Sequence, residues 1–300
     1  MVAEPPTSRV LVTGGTAYVG SKLATSLSES GSEVAVLTRR VPPKPIPSVI
    51  YLVHDGSMSS IVAALTATQP ETIVHVAASY VRQHKTSDVA PLIEANITMG
   101  ALLLEAAASL GIRRMVYSGT FFQRSGVPGG TPRNLYAAAK NAYEEILDFY
   151  ESSGAIESIR LTLCDVYGED DPRPRLLKAA VSAALDESTL RVPHHDPYLV
   201  PIHIEDVIKA FETALSLENL RGRFWVGPAA AVKLSEIIAL VTRLVGSTVK
   251  VERADLPALP GDTLATAPGV TLPDWQPSIG LEEGILRMIK FHRVSGEHYQ

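Results

Sequence analysis

The 300-residue chain has one cysteine, Cys164, which excludes an internal disulfide and any cluster of cysteine ligands. Positive charge is not in excess: 27 Lys and Arg against 32 Asp and Glu leave a net charge of -5, which gives no support to a nucleic-acid surface. No apolar run reaches about 18 residues. There is no opening pattern of basic, apolar and small residues to mark a secretory signal, and no C-terminal lipidation motif. A cytoplasmic protein that meets no membrane is expected. Internal repeats and low-complexity tracts are also absent. What is present is 46% hydrophobic residues against 20% charged ones, enough for a sizeable core. The length is long for one domain and short for two large ones.

The apolar residues fall into short runs separated by amphipathic stretches. RVLVT at 9–13 and EVAVLT at 33–38 read as strands, 49–53 and 72–78 as buried strands, and 113–120 and 156–163 as two more. Residues 18–30, 58–68, 88–110 and 136–152 read as helices between them. VPPKPIP at 41–47 is a loop, because its prolines exclude regular helix and central strand. Alternation of this kind implies βαβ units and a parallel sheet with helical crossovers. After about residue 167 the alternation loosens, and KLSEIIALVTRLVG and GLEEGILRMIKFH read as amphipathic helices of a later part. The expected fold is α/β: a Rossmann-type doubly wound parallel sheet that binds the cofactor over residues 1–166, with a smaller C-terminal substrate-binding lobe over 167–300, partly interwoven with it.

VTGGTAYVG follows the first strand and opens the first helix, the context a dinucleotide turn requires. Gly14, Gly15 and Gly20 would let the backbone turn tightly and pack helix against strand. Free N–H groups at the helix start would receive a pyrophosphate. Ala17 stands where a middle glycine is usual, so its methyl could hold the pyrophosphate farther off. The plain alternative is a tight strand-to-helix connection. YAAAK places Tyr136 and Lys140 at i and i+4 on one helix face. A tyrosine near its ordinary pKa of about 10 is a poor acid–base group at neutral pH, and a neighbouring ammonium would lower it.

Taken in order, TGGTAYVG, HVAAS, EANITMGALLLEAA, VYSGT, YAAAK and DVYG resemble the extended short-chain dehydrogenase/reductase family, in its group of NDP-sugar epimerases, dehydratases and ketoreductases. PIHIEDVIKAFETAL and LPDWQPSIGLEEGI resemble later segments of the same group, so the resemblance covers nearly the whole chain. Within the group, YSGTFFQ, NLYAAAKNAYEEILDFY and DVYGEDDPRP are most similar to NDP-4-keto-6-deoxyhexose 4-reductases of the CDP-abequose-synthase type. The resemblance implies that Tyr136 exchanges a proton with the sugar oxygen, that Thr120 holds the same oxygen, and that Lys140 lowers the Tyr136 pKa and binds the nicotinamide ribose. Asn96 falls at the active-site edge, with a polar surface residue as the alternative. It also implies cofactor contacts from Gly14, Thr16, Ala17, Tyr18, Val19 and Gly20 at the turn, from Thr38, Arg39 and Arg40, from Asp55 and Gly56 near the adenine, and from Ala77, Ala78, Ser79 and Ser118. His75 reads as a core histidine more readily than as an acid.

Two departures discriminate among reactions. Dehydratases of the group carry Asp-Glu directly after the catalytic Thr, whereas Thr120 is followed by Phe121 and Phe122. Epimerases hold NAD, with an Asp at the end of the second strand on the ribose hydroxyls. Here the position is Thr38, followed by Arg39 and Arg40, and guanidinium groups bind a 2′-phosphate bidentately. NADPH is therefore the expected cofactor, a solvated strand end being the alternative, and reduction of a nucleotide-bound 4-keto-6-deoxyhexose the expected reaction. An NAD(P)-dependent epimerase and a non-catalytic NADP-binding sensor are the other readings. Expected substrate contacts are Ser79, Thr120, Phe121, Phe122, Asp165, Arg173, Arg175 and Lys178, with Arg253 as a further basic candidate. Leu199 stands where many relatives have the diphosphate-binding arginine. Cys164 reads as a small buried residue and Trp275 as lobe packing. His194, His195 and Asp196 read as a polar loop bordering the cleft, and no metal site is expected. A homodimer is implied by resemblance, formed through the helices at 88–110 and 136–152.

Overall fold

The computed structural model describes residues 8–124, 130–256 and 269–295. Seven parallel strands form the central sheet. They are β1 (Arg9–Thr13), β2 (Glu33–Thr38), β3 (Ile50–Val53), β4 (Thr72–His75), β5 (Arg114–Thr120), β6 (Glu157–Leu163) and β7 (Gly222–Val226). Their order is β7-β6-β5-β4-β1-β2-β3, doubly wound about β1. Helices α1 (Tyr18–Glu29), α2 (Met58–Thr68), α3 (Thr86–Ser109) and α4 (Leu135–Ser152) make the early crossovers. Helices α5 (Leu176–Leu185), α6 (Ile204–Ser216), α7 (Leu234–Val245) and α8 (Leu281–Ser295) follow.

Strand side chains alternate between two cores, as the period of two requires. Val10, Val12, Val34, Val36, Val74 and Val116 pack with Leu23 and Leu27 of α1 and Phe211 of α6. Leu11, Leu37, Ile73, Met115 and Tyr117 pack with α2, α3 and α4 on the other face. A sheet covered on both faces explains why the strands read as nearly unbroken apolar runs. The exception is β3, expected to be buried. It is the sheet edge, with Ile50 and Val53 more than half exposed. The expected strand at 72–78 also ends early, at His75.

Helix α3 is long and apolar enough, by length and composition, to cross a membrane, an outcome not expected from the sequence. It also carries Glu94 and Glu105, and it packs Leu92, Leu103, Leu104, Ala106 and Ala107 into the sheet core. A π-turn interrupts it at Glu94–Thr98.

A third core joins α5, α7 and α8 through Leu177, Val181, Leu234, Ile237, Ile285 and Met288. Short strand pairs surround it: Thr189–Pro193 with Lys250–Ala254, and Tyr198–Leu199 with Val232–Lys233. Between these segments the chain returns to the central sheet as α6 and β7, with Gly222–Val226 paired to Ile159–Leu163 of β6. Trp275, expected in the lobe, is buried in the core on the α1 and α6 side, and its indole N–H donates to the Asp206 carbonyl at 3.0 Å.

Candidate active site

At the end of β1, Gly14 has φ +73°, and a Cβ there would lie 2.7 Å from the Ala77 nitrogen. Only glycine lets the turn after β1 lie against the loop after β4 at this distance. At the start of α1, Ala17 is the N-cap and makes no side-chain cap. Thr16 and Ala17 are exposed there, so the free N–H groups of the first turn are open to a phosphate. This arrangement fits a dinucleotide pyrophosphate. The Ala77 N–H donates to Thr13 Oγ1 at 3.2 Å, and Thr13 Oγ1 lies 2.7 Å from His75 Nδ1. His75 is a core residue stacked on Tyr117, and burial with the Lys140 charge pushes its pKa down to about 3.

The end of β2 holds Thr38 buried and Arg39 and Arg40 exposed. Thr38 Oγ1 donates to the Arg40 carbonyl at 3.0 Å, so the strand ends in a local turn that presents both guanidinium groups. Asp55, beyond β3, accepts from the Ser57 N–H at 2.8 Å, and these hydrogen bonds hold its carboxyl well below the usual range. It supports the turn into α2 while its side chain stays at the surface. Gly56 has φ +91° in the same turn.

A cavity of about 480 Å³ opens at the carboxyl ends of the strands. Of the expected residues, Ala17, Tyr18, Val19, Gly20, Ala78, Ser118, Thr120, Phe122, Tyr136, Asp165, Arg173 and Arg175 line it. Tyr80, Val76, Leu163, Cys164 and Val166 line it as well and were not expected there. Cys164 is thus a wall residue and only part-buried, its thiol donating to the Val226 carbonyl at 3.2 Å. Thr120 ends β5, and its N–H donates to Gln123 Oε1 at 2.6 Å. Gln123 is tied in turn to Asn141 of α4, whose amide donates to the Gln123 carbonyl at 2.7 Å. This network fixes Thr120 against the helix that carries Tyr136.

Several expected contacts lie elsewhere. Asn96 is buried and its amide is fully engaged: Oδ1 accepts from Ser79 N–H at 3.1 Å, and Nδ2 donates to the carbonyls of Ser79 and Leu92, each at 2.9 Å. The π-turn sets Asn96 against the loop after β4, so it positions that loop and does not reach reacting atoms. The Ser79 backbone is the pinned partner, and Ser79 is not a cavity wall. Phe121 is buried against Val200 and Trp225, leaving Phe122 to face the cavity with the Arg133 guanidinium 4.4 Å above its ring. Lys178 is buried and donates to the Asp171 carbonyl, away from the cavity. Arg253 donates to the Pro193 carbonyl at 2.7 Å. Asp196 caps the start of α7 through Ser235, and His194 pairs with Asp255 at 3.3 Å. None of these three borders the cavity. Leu199 sits in a short strand beside Val232. Among the described residues no cluster suited to a metal ion exists.

The Tyr136–Lys140 pair departs from expectation. Lys140 is buried at 1% exposure, donates to the Ser118 carbonyl at 2.9 Å, and sits 4.5 Å above the Tyr117 ring. Burial pushes its pKa down to about 7, with the Glu144 carboxylate opposing. Tyr136 is pushed up rather than down: burial and the neighbouring Tyr80 raise it, and Arg175 and Arg173 oppose. The i, i+4 spacing puts both side chains on one face, but the ammonium donates to the end of β5.

A buried ammonium of this kind destabilises the fold. The gap between 10.5 and about 7 corresponds to roughly 5 kcal/mol. The cost is complete below about pH 7, where Lys140 is charged folded and unfolded. As pH rises toward 10.5 the unfolded chain holds the extra proton, so stability rises and the cost fades. Lys140→Met is therefore expected to raise the thermal unfolding midpoint below pH 7 by a few degrees, for a recovery of about 1–3 kcal/mol after its hydrogen bond is lost. Calorimetry across pH checks this: the advantage over the natural protein should shrink as pH rises.

Residues 10–227 match the NAD dependent epimerase/dehydratase family. Among curated proteins, CDP-abequose synthase of Yersinia pseudotuberculosis is 24% identical over 215 residues, covering 70% of this chain and 74% of its own. The dTDP-6-deoxy-L-talose 4-dehydrogenase (NAD(P)(+)) of Kitasatospora kifunensis is 28% identical over 60% of this chain and 58% of its own. Among solved structures, UDP-glucose 4-epimerase of Thermus thermophilus in complex with NAD superposes with a TM-score of 0.80 at 27% identity, over 95% of this chain and 99% of that one.

Proposed function

Because the chain belongs to the NAD dependent epimerase/dehydratase family, we propose that it reduces the C4 keto group of a dTDP- or CDP-linked 4-keto-6-deoxyhexose with NADPH. The observation that carries this reading is the pair after Thr120. Phe122 is an apolar cavity wall and Phe121 is buried, so no acid–base pair stands where elimination of water needs one. The arginines beyond Thr38 support a 2′-phosphate, and a cofactor consumed in each turnover suits net reduction. The printed activities of the relatives in Yersinia and Kitasatospora point the same way.

Bound NADPH supplies the hydride. The protein positions the sugar: Thr120 Oγ1 and the Tyr136 hydroxyl hold O4, and burial keeps Tyr136 in the protonated form that reduction needs. As negative charge develops on O4, the Tyr136 proton passes to it, leaving a tyrosinate that solvent reprotonates. The partner we infer is a second copy of the chain, docked through α3 and α4, which leave Val89 and Phe149 exposed.

The test offers NADPH and NADH separately with dTDP- and CDP-4-keto-6-deoxyglucose. Oxidation of NADPH coupled to loss of the keto sugar is expected. Interconversion of a nucleotide sugar without net cofactor oxidation would move the assignment to an epimerase, the activity of the Thermus thermophilus relative. No turnover and no NADPH binding would remove both.

A further inference from the structure

Two arginines from the segment before α5 line the cavity beside Tyr136, and they differ in what holds them. Arg173 is neutralised. Its Nε and Nη2 donate to both oxygens of buried Asp171, at 2.7 and 2.8 Å. Arg175 makes no ion pair among the described residues, and its Nε is buried with no hydrogen-bond partner. Its guanidinium lies 5.3 Å from the centroid of the Tyr80 ring. The Tyr80 ring meets Tyr136 edge to face, with centroids 5.1 Å apart and planes at 84°. A cation, an aromatic spacer and the phenol are thus stacked in one wall of the cavity.

We propose that Arg175 is a positioning residue for Tyr136: held on Tyr80, it is the permanent cation that stabilises the tyrosinate left when the proton passes to O4. The inference rests on the reading of Tyr136 as proton donor. Lys140 is poorly suited to the task, because a group that titrates near neutral pH and donates to the Ser118 carbonyl is not a constant charge. A guanidinium stays charged at every working pH. The groups that face Tyr136 are Tyr80 from the loop after β4, Arg173 and Arg175 from the segment before α5, and Lys140 one turn along α4. Tyr80 and burial raise its pKa, and Arg175 ranks ahead of Arg173 in lowering it. Arg175 is also the N-cap of α5, which is anchored in the third core by Leu177, Ala180 and Val181. The charge on the tyrosine is therefore supplied by the lobe opposite the one that carries it.

Difluorotyrosine placed at position 136 titrates near neutral pH and can be read by fluorine NMR in the full chain, with and without NADP. Arg175→Gln is expected to raise its midpoint by about one pH unit or more. Arg175→Lys, which keeps the charge, should stay nearer the natural value. In the unlabelled enzyme Arg175→Gln should lower kcat about tenfold and leave the KM for the sugar unchanged. An unmoved midpoint would overturn the proposal, and a raised KM with an unmoved midpoint would instead make Arg175 a substrate contact. The titration needs no turnover. If no 4-keto sugar is reduced yet the midpoint still moves, the reaction assignment fails and the role of Arg175 stands.

Discussion

Tyr136→Phe is expected to lower kcat by about 10²–10⁴-fold while NADPH binds as before. The phenol is the donor nearest to Thr120 in the cavity wall, and burial keeps it protonated in the resting molecule. Removing only the oxygen leaves the ring, which rests edge to face on Tyr80 and begins α4 one residue after Leu135. The loss should therefore fall on proton transfer and not on the fold. Stopped-flow measurement of NADPH oxidation, beside fluorescence titration of NADPH binding, separates the two. A variant that binds NADPH and still reduces the sugar at the natural rate would remove Tyr136 from the mechanism and take the argument about Arg175 with it. Replacement of Lys140 should also suppress turnover, but it differs in raising stability below neutral pH, whereas Tyr136→Phe should leave it nearly unchanged.

The double change Thr38→Asp with Arg39→Ala is expected to invert cofactor preference. The tip of β2 carries a buried Thr38 whose hydroxyl folds the strand end toward Arg40, with both arginines exposed at the rim. A 2′-phosphate there gains charge-assisted hydrogen bonds of roughly 1.5–3 kcal/mol each. Removing one guanidinium and adding a carboxylate should weaken NADPH by about 3 kcal/mol, on the order of 100-fold. NADH should lose little, because an aspartate at the strand end can accept from its ribose hydroxyls. Isothermal titration with both cofactors decides it. Equal weakening of the two would return Arg39 to the role of a solvated strand end. The preference should also narrow with salt, since both arginines are open to solvent.

The sheet and its two cofactor-facing turns were legible because local signals specify them. Apolar runs of strand length, a glycine turn between strand and helix, and Tyr136 with Lys140 at i, i+4 all act over a few residues. What escaped depends on distant packing. The spacing of Tyr136 and Lys140 gives a shared helix face, but not that the ammonium donates to the Ser118 carbonyl. Nothing in EANITMG announces a π-turn, yet it sets the Asn96 amide on Ser79. Lys178 and Arg175 stand three residues apart in one basic segment, and only the packing of α5 sends one under Asp171 and the other toward Tyr80. Tyr80 could have been suspected from its place two residues after Ala78, at the strand-end loop that borders the cofactor.

Strand β7 carries a lesson for anyone recombining such enzymes. The chain leaves the sheet after β6, builds part of the sugar-facing half, and comes back to lay Gly222–Val226 along β6 before leaving again. Sugar selectivity is therefore not a detachable tail. A chimera joined once, near residue 166, would transplant a foreign sheet edge together with the foreign pocket, and the buried Glu144 of α4 would meet an untested partner in place of Arg223. Exchange of specificity between relatives requires at least two seams, one on each side of the excursion that ends in β7.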